Sequence, residues 1–218
     1  MMTYSRFDNQ LLETSIALQD SDINCIEVVA IAKKLEERTD FTLDLSSNPL
    51  LEKGGLAIAK LRAKGLGLAK TFITDNVVKE LFTNSDLQSL NIRGNKITDT
   101  VFTTLQAEGC KLEALDLSYT EITDATIDVL MKLPNLKLLL VDFNKVSDES
   151  TLKILKMPSL CYLEVFGCEL QKNTIKVVND FNKKNKEKTA NILRNEVIVT
   201  PSSDIDFFEK ENKTCSLI

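Results

Sequence analysis

The side chains that chemistry could use in this chain fall into two sets. The first is a pair of carboxylates, Asp116 and Asp142. Placed on neighbouring strands, two acids can act as the acid and base of a hydrolase. The second is the cysteines, Cys25, Cys110, Cys161, Cys168 and Cys215. A thiolate can attack a carbonyl, bind a metal or accept a lipid. Histidine is missing altogether, which removes the commonest general base and the commonest metal ligand. Cys161 and Cys168 have no third thiol or imidazole near them in sequence, so a metal centre is not expected and no cofactor is implied. No phosphate-cradling Gly loop, zinc-protease motif or Ser/His pair occurs. The acids therefore read as solvated contact residues, and the chain as a non-enzyme. Cys215 is different. It is followed by Ser216, Leu217 and Ile218, which fits the C-a-a-X form whose thiol a prenyltransferase alkylates. Leu217 is the aliphatic residue that form requires, and Ile218 resembles the bulky apolar residues that direct geranylgeranylation. Lipidation at Cys215 and a peripheral membrane location are expected. One lipid alone gives only reversible attachment, and the cluster Lys183, Lys184, Lys186 and Lys188 is the candidate second signal.

Any such groups need a scaffold, and bulk composition bounds what it is. Hydrophobic residues make up 43% and charged residues 27% of 218, ordinary values for a chain that buries a sizeable core. The net charge of -5 disfavours nucleic acid, whose phosphates need a concentrated basic surface. No run approaches the roughly 18 apolar residues of a membrane span, and the first residues lack a leader's basic and apolar regions. A cytoplasmic protein with free thiols is expected.

The scaffold itself is written in repeats. Residues 90–99 read LNIRGNKITD, 115–124 read LDLSYTEITD and 139–148 read LLVDFNKVSD. Aligned on one apolar column, Ile16, Leu43, Leu66, Leu90, Leu115, Leu139 and Leu163 follow one another at spacings of 27, 23, 24, 25, 24 and 24. Within a unit, apolar residues alternate, as in Leu90 and Ile92 or Leu115 and Leu117, the mark of a strand with one buried face. Thr74-Asp75, Thr98-Asp99, Thr123-Asp124 and Ser147-Asp148 then read as helix N-caps. Apolar residues at helical spacing follow, such as Phe102 and Leu105 or Ile127 and Leu130. No unit of strand, turn and helix buries its apolar face alone, so the units must stack.

These residues resemble the leucine-rich repeat, in the sub-type with a full helix on the convex side found in ribonuclease-inhibitor-like proteins. The resemblance covers residues 13–183 and implies an α/β solenoid of about seven units, with parallel strands on the concave face and helices on the convex face. It also implies a ladder of side chains bonded to turn backbone, supplied here by Asn48, Asn95, Asn144 and Cys168, with Thr71 and Thr120 as substitutes. Residues 1–12 are expected to form an N-terminal cap and 184–200 a C-terminal cap with a last strand in ANILRNEVIVT. Residues 201–218 read as a tail.

In such a solenoid the positions between the buried apolar columns face out of the concave side. The early units put small or polar groups there. Later units change character, to Asp116, Ser118 and Tyr119, then Leu138, Leu140, Asp142 and Phe143, then Tyr162, Glu164 and Phe166. An apolar patch on a wet face marks an interaction site, and the acids would give it a rim suited to a basic partner. The expectation is a monomeric adaptor that binds a protein partner through Tyr119, Leu138, Leu140, Asp142, Phe143, Tyr162, Glu164 and Phe166. Two other arrangements would bury these residues: a C-terminal tail folded over the patch, or a register slip of one residue. Short repeat proteins of this kind that end in a lipid signal resemble bacterial effectors lipidated in a host cell. Some leucine-rich-repeat proteins stimulate small GTPases or act as substrate receptors of ubiquitin ligases, and these are the alternative functions.

Overall fold

The computed structural model describes residues 7–195 and Val199. Seven short strands, β1 (Ser15–Ala17), β2 (Thr42–Asp44), β3 (Gly65–Gly67), β4 (Ser89–Asn91), β5 (Ala114–Asp116), β6 (Leu138–Leu140) and β7 (Tyr162–Glu164), form one parallel sheet in sequence order. Ile16, Leu43, Leu66, Leu90, Leu115, Leu139 and Leu163 are paired across it, each with the next. All seven are buried. The column legible in sequence is thus the register of the sheet, and a slip is excluded. Each buried leucine contributes about 2 kcal/mol, far less than the cost of ordering its own unit, so stability comes from stacking.

Helices α1 (Cys25–Leu35), α2 (Leu51–Ala59), α3 (Asp75–Leu81), α4 (Asp124–Leu130), α5 (Asp148–Ile154) and α6 (Lys172–Lys184) form the other layer. Unit four departs from expectation, because Asp99–Thr104 is a 3-10 helix. Its sequence, DTVFTT, is β-branched and poor in helix formers, and the Thr103 hydroxyl donates to the Thr100 carbonyl at 2.8 Å, competing with the regular ladder.

Two side-chain ladders tie the units together. In the expected one, the Asn95 amide donates to Leu68 O at 2.7 Å and Ile92 O at 2.9 Å. Its Oδ1 accepts from Thr71 N at 3.1 Å and Ile73 N at 3.2 Å. Asn48 repeats this pattern two units earlier in the stack, and Asn144 donates to Leu117 O and Val141 O. Thr71, Thr120 and Cys168 occupy the same column and donate to a nearby carbonyl. The second ladder uses the acids beside the N-caps. Asp75 accepts from the N–H and hydroxyl of Thr98 at 2.9 and 2.6 Å, and Asp99 from those of Thr123 at 2.8 and 2.7 Å. Asp124 takes Ser147 N at 2.8 Å and Asp148 takes Gln171 N at 3.0 Å. Thr98, Thr123 and Ser147 also cap their helices as expected, whereas Thr74 makes no side-chain cap bond.

The open edge of β7 needs a partner for its backbone. Asn182, on α6, supplies one. Its amide donates to Leu163 O at 2.7 Å and its Oδ1 accepts from Leu163 N at 3.0 Å, doing for that residue what an eighth strand would do. The strand expected in ANILRNEVIVT is accordingly replaced, over its first residues, by helix α7 (Lys186–Asn195). Lys, Glu, Ala, Leu and Arg are strong helix formers, and the edge is already occupied. The Thr189 hydroxyl donates to Cys161 O at 3.2 Å and pins α7 to the same end.

Candidate interaction site

After each strand the chain turns through one residue in the left-handed region: Asp20, Ser47, Lys70, Gly94, Tyr119, Phe143 and Gly167, with φ between 50° and 69°. The turn demands it, because the N–H of that residue donates to the next unit. Tyr119 N reaches Asp142 O at 2.7 Å, and Phe143 N reaches Phe166 O at 2.7 Å. Glycine adopts this conformation freely, while a bulky side chain is disfavoured by about 1–2 kcal/mol. At Gly167 (φ +69°) an added Cβ would lie 2.5 Å from the Phe143 ring.

Two consecutive units nevertheless place aromatic rings at the left-handed position. Tyr119, Phe143 and Phe166 are 44%, 41% and 48% exposed. The rings of Tyr119 and Phe143 stack with centroids 4.2 Å apart, and Phe166 meets Phe143 edge-on at 5.3 Å. The Arg93 guanidinium lies over Tyr119, 4.6 Å from its centroid, a cation–π contact that extends the row to unit four. The result is a ridge of four side chains along the rim of the concave face. Two residues beyond the turn position, Lys96, Glu121, Lys145 and Glu169 are exposed, so charges of alternating sign run beside the ridge.

The structure divides the eight residues expected on the partner-facing surface. Tyr119, Phe143 and Phe166 stand in solvent. Leu138, Leu140 and Tyr162 are buried, in a small cluster with Ala114 and Val199 against which Leu193 packs. They do face the concave side as the alternation requires, but residues from the chain's own C-terminal region lie on them, which corrects the expectation of an open apolar face. Asp142 and Glu164 are also buried, so the acidic rim is absent. Asp142 Oδ1 accepts from Phe166 N at 2.8 Å, and its Oδ2 lies 3.8 Å from Arg93 Nη1. Arg93 thus lies between the Asp142 carboxylate and the Tyr119 ring; its place in sequence marks it only as a polar residue of the concave side.

The same burial bears on the two-carboxylate idea. Asp116 Oδ1 accepts from Ser118 N at 2.8 Å, and Ser118 Oγ accepts from Asp142 N at 3.2 Å. Burial pushes the Asp116 carboxyl above its ordinary range, against the pull of the Ser118 bonds and the Arg93 charge, with Asp142 adding to the rise. Both acids are spent on turn geometry beneath the surface. Cys168 is buried, its thiol pushed up by desolvation, and bonds Val141 O at 3.4 Å. Cys25, Cys110 and Cys161 are free and half-buried. Among the described residues no group of His, Cys, Asp or Glu is placed to hold a metal, and no helix is long and apolar enough to cross a membrane. Cys215 lies outside the described residues.

A single parallel sheet in sequence order, backed by helices and laced by an asparagine ladder, defines a leucine-rich-repeat solenoid. Residues 83–100 and 110–127, in the middle of the stack, match the family model described as Leucine Rich repeat. No curated protein sequence matches the chain. Among solved structures, the chain is similar to leiomodin-1 actin-binding site 2 at 17% identity, over 88% of this chain and 96% of that one, with a TM-score of 0.38. It is also similar to internalin C2 from Listeria monocytogenes, at 24% identity over 70% of this chain and 80% of that one, with a TM-score of 0.45.

Proposed function

We propose that this protein is a non-enzymatic interaction module that holds a protein partner on the aromatic ridge of Arg93, Tyr119, Phe143 and Phe166. The observation that carries this reading is the pair of rings at Tyr119 and Phe143, set on left-handed backbone and left in solvent. Strain kept at a position where glycine also fits the fold points to a use for the side chain. Exposed Tyr and Phe are rigid contact groups of the kind that dominate interface energies, each worth about 2 kcal/mol or more when a partner buries it. The charges at Lys96, Glu121, Lys145 and Glu169 would fix the partner's register along the ridge. The test is a photo-crosslinking amino acid at Phe143, compared with the same group at Phe72, an exposed ring in an earlier unit. A discrete crosslinked species from position 143, lost with Tyr119→Ala and Phe166→Ala and not formed from position 72, is expected. Equal crosslinking from both positions would refute the ridge.

Membrane attachment is the second part of the proposal, and the support for it is the C-S-L-I sequence alone. Prenylation of Cys215 in a eukaryotic cytoplasm, the setting a host-directed effector would meet, predicts a prenyl-sized mass gain that Cys215→Ser abolishes together with pelleting in the membrane fraction. An unmodified, soluble protein would remove this part and leave the ridge standing.

A further inference from the structure

The strand residues on either side of the leucine column point out of the concave face, yet from β3 onward all of them except the half-buried Asn91 are as buried as core. Gly65, Ser89, Ala114, Leu138 and Tyr162 form one row, in register across five strands. All five are buried. In the row beside it Gly67, Asp116, Leu140 and Glu164 are buried as well, whereas on β1 the outward Ser15 and Ala17 are exposed. Burial of both outward positions is therefore complete on β5, β6 and β7 and falls away towards β1. Among the described residues, the cover includes Val199, at 0% exposure, and Leu193, both packed against Leu138, Leu140, Tyr162 and Ala114. Ser89 Oγ, in the same row, is buried without a hydrogen-bond partner among the described residues.

The floor of this face has the profile of a groove. It is shallow in side chains at Gly65 and Gly67, apolar at Ala114, Leu138 and Leu140, and walled by the Tyr162 ring. A β-branched residue such as Val199 fits an apolar floor of this kind, and α7 delivers the chain to it from the capped end, by way of Leu193. We propose that the concave face is a peptide groove whose resident occupant is this chain's own segment around Val199, so that a protein partner enters the groove only by displacing that segment. This stands independently of the ridge, whose residues are exposed with the segment in place. The device is autoinhibitory: groove affinity seen from outside is reduced by the fraction of molecules whose groove is filled.

The test uses the full-length protein and a fluorescein-labelled synthetic peptide of residues 193–208, with binding read by anisotropy. The wild type should bind the peptide weakly because its groove is filled. Val199→Asp, which places a charge on the apolar floor and releases the segment, should bind it at least about tenfold more tightly. Val199→Asp combined with Leu140→Glu should lose that gain, with far-UV circular dichroism confirming that the repeats remain folded. If the aspartate variant fails to fold, Val199→Ala takes its place and should bind between the wild type and the aspartate expectation. Equal binding to the wild type and the released variant, or no binding to a folded released variant, would overturn the proposal. Sedimentation of the wild type distinguishes the remaining occupant: a monomer is required, and a dimer that Val199→Asp dissociates would show that a second copy fills the groove.

Discussion

Replacing Asn95 with alanine should cost this protein about as much as truncating one of its buried leucines. The Asn95 side chain is buried and joins unit four to unit three through one donated bond, to Leu68 O, and two accepted ones, from Thr71 N and Ile73 N, while a second donated bond, to Ile92 O, closes its own turn. Each bond contributes about 1 kcal/mol net, and a buried backbone group left unpaired costs about 1–3 kcal/mol. Because the turn can relax and admit water at some of the four groups, the loss for Asn95→Ala should be about 3–5 kcal/mol. That is a large share of the roughly 5–15 kcal/mol holding a typical domain together. Nearest-neighbour coupling sharpens the expectation. A break between units three and four should divide the stack, so urea unfolding followed by far-UV circular dichroism should lose slope as well as midpoint. Asn95→Cys should cost less, since Cys168 occupies the same column and keeps one bond to a carbonyl. A loss below about 1 kcal/mol for the alanine variant, with unchanged slope, would refute the reasoning, because the turns would then not depend on the ladder.

The remaining predictions concern acids, rings and a thiol. Burial raises the carboxyls of Asp75, Asp99 and Asp124, but their hydrogen bonds from the following unit outweigh it and hold all three below the ordinary range. A depressed folded pKa gives stability that is present above the unfolded value of about 4 and lost as pH falls through the folded one. Asp116 has the opposite sign, so its protonation offsets part of that loss. Urea midpoints should therefore drop between neutral pH and about pH 3, and Asp99→Asn, which keeps an acceptor for Thr123 N, should drop less. Phe143→Gly relieves left-handed strain of about 1–2 kcal/mol and forfeits exposed stacking of about 0.5–1.5 kcal/mol. Its melting temperature should hold or rise while crosslinking to a partner from a photo-crosslinking group at Tyr119 is lost, and a clear fall in melting temperature would remove strain from the argument. Cys168, buried with a raised pKa, should resist a thiol reagent in the native protein and react on unfolding, whereas rapid native labelling would show that the last turn opens.

What could be read from the sequence was whatever repeats in register. The column from Ile16 to Leu163 is visible because each unit needs one apolar residue at the same place, and it reappears residue for residue in the pairing of the strands. The asparagine ladder is visible for the same reason, down to the substitution by Thr71, Thr120 and Cys168. The acid ladder hides in plain view: an Asp after a Thr or Ser looks like a first-turn acid, and only the stacking of units reveals that Asp75 and Asp99 serve the unit that follows. The left-handed turn was available to a closer comparison, since Tyr119 and Phe143 share a column with Gly94 and Gly167. Two glycines among aromatic residues at one repeat position specify the backbone that all of them adopt.

The concave face marks where this kind of reading stops. Alternation correctly turns Leu138, Leu140 and Tyr162 out of the core, but alternation knows only the strand and its neighbours in the stack. Val199 follows the last repeat, belongs to no column, and meets Leu138 across a long stretch of chain. Its docking is chosen by complementarity with a surface that exists only once the solenoid has formed. The apolar side chains of Leu138 and Leu140 are thus shielded from water by Val199 and Leu193, while Tyr119, Phe143 and Phe166, which the described cover leaves in solvent, have no such account. That difference is the physical reason for placing the partner on the ridge and the competition in the groove: one aromatic surface is open as the molecule stands, and the other becomes open only when Val199 leaves.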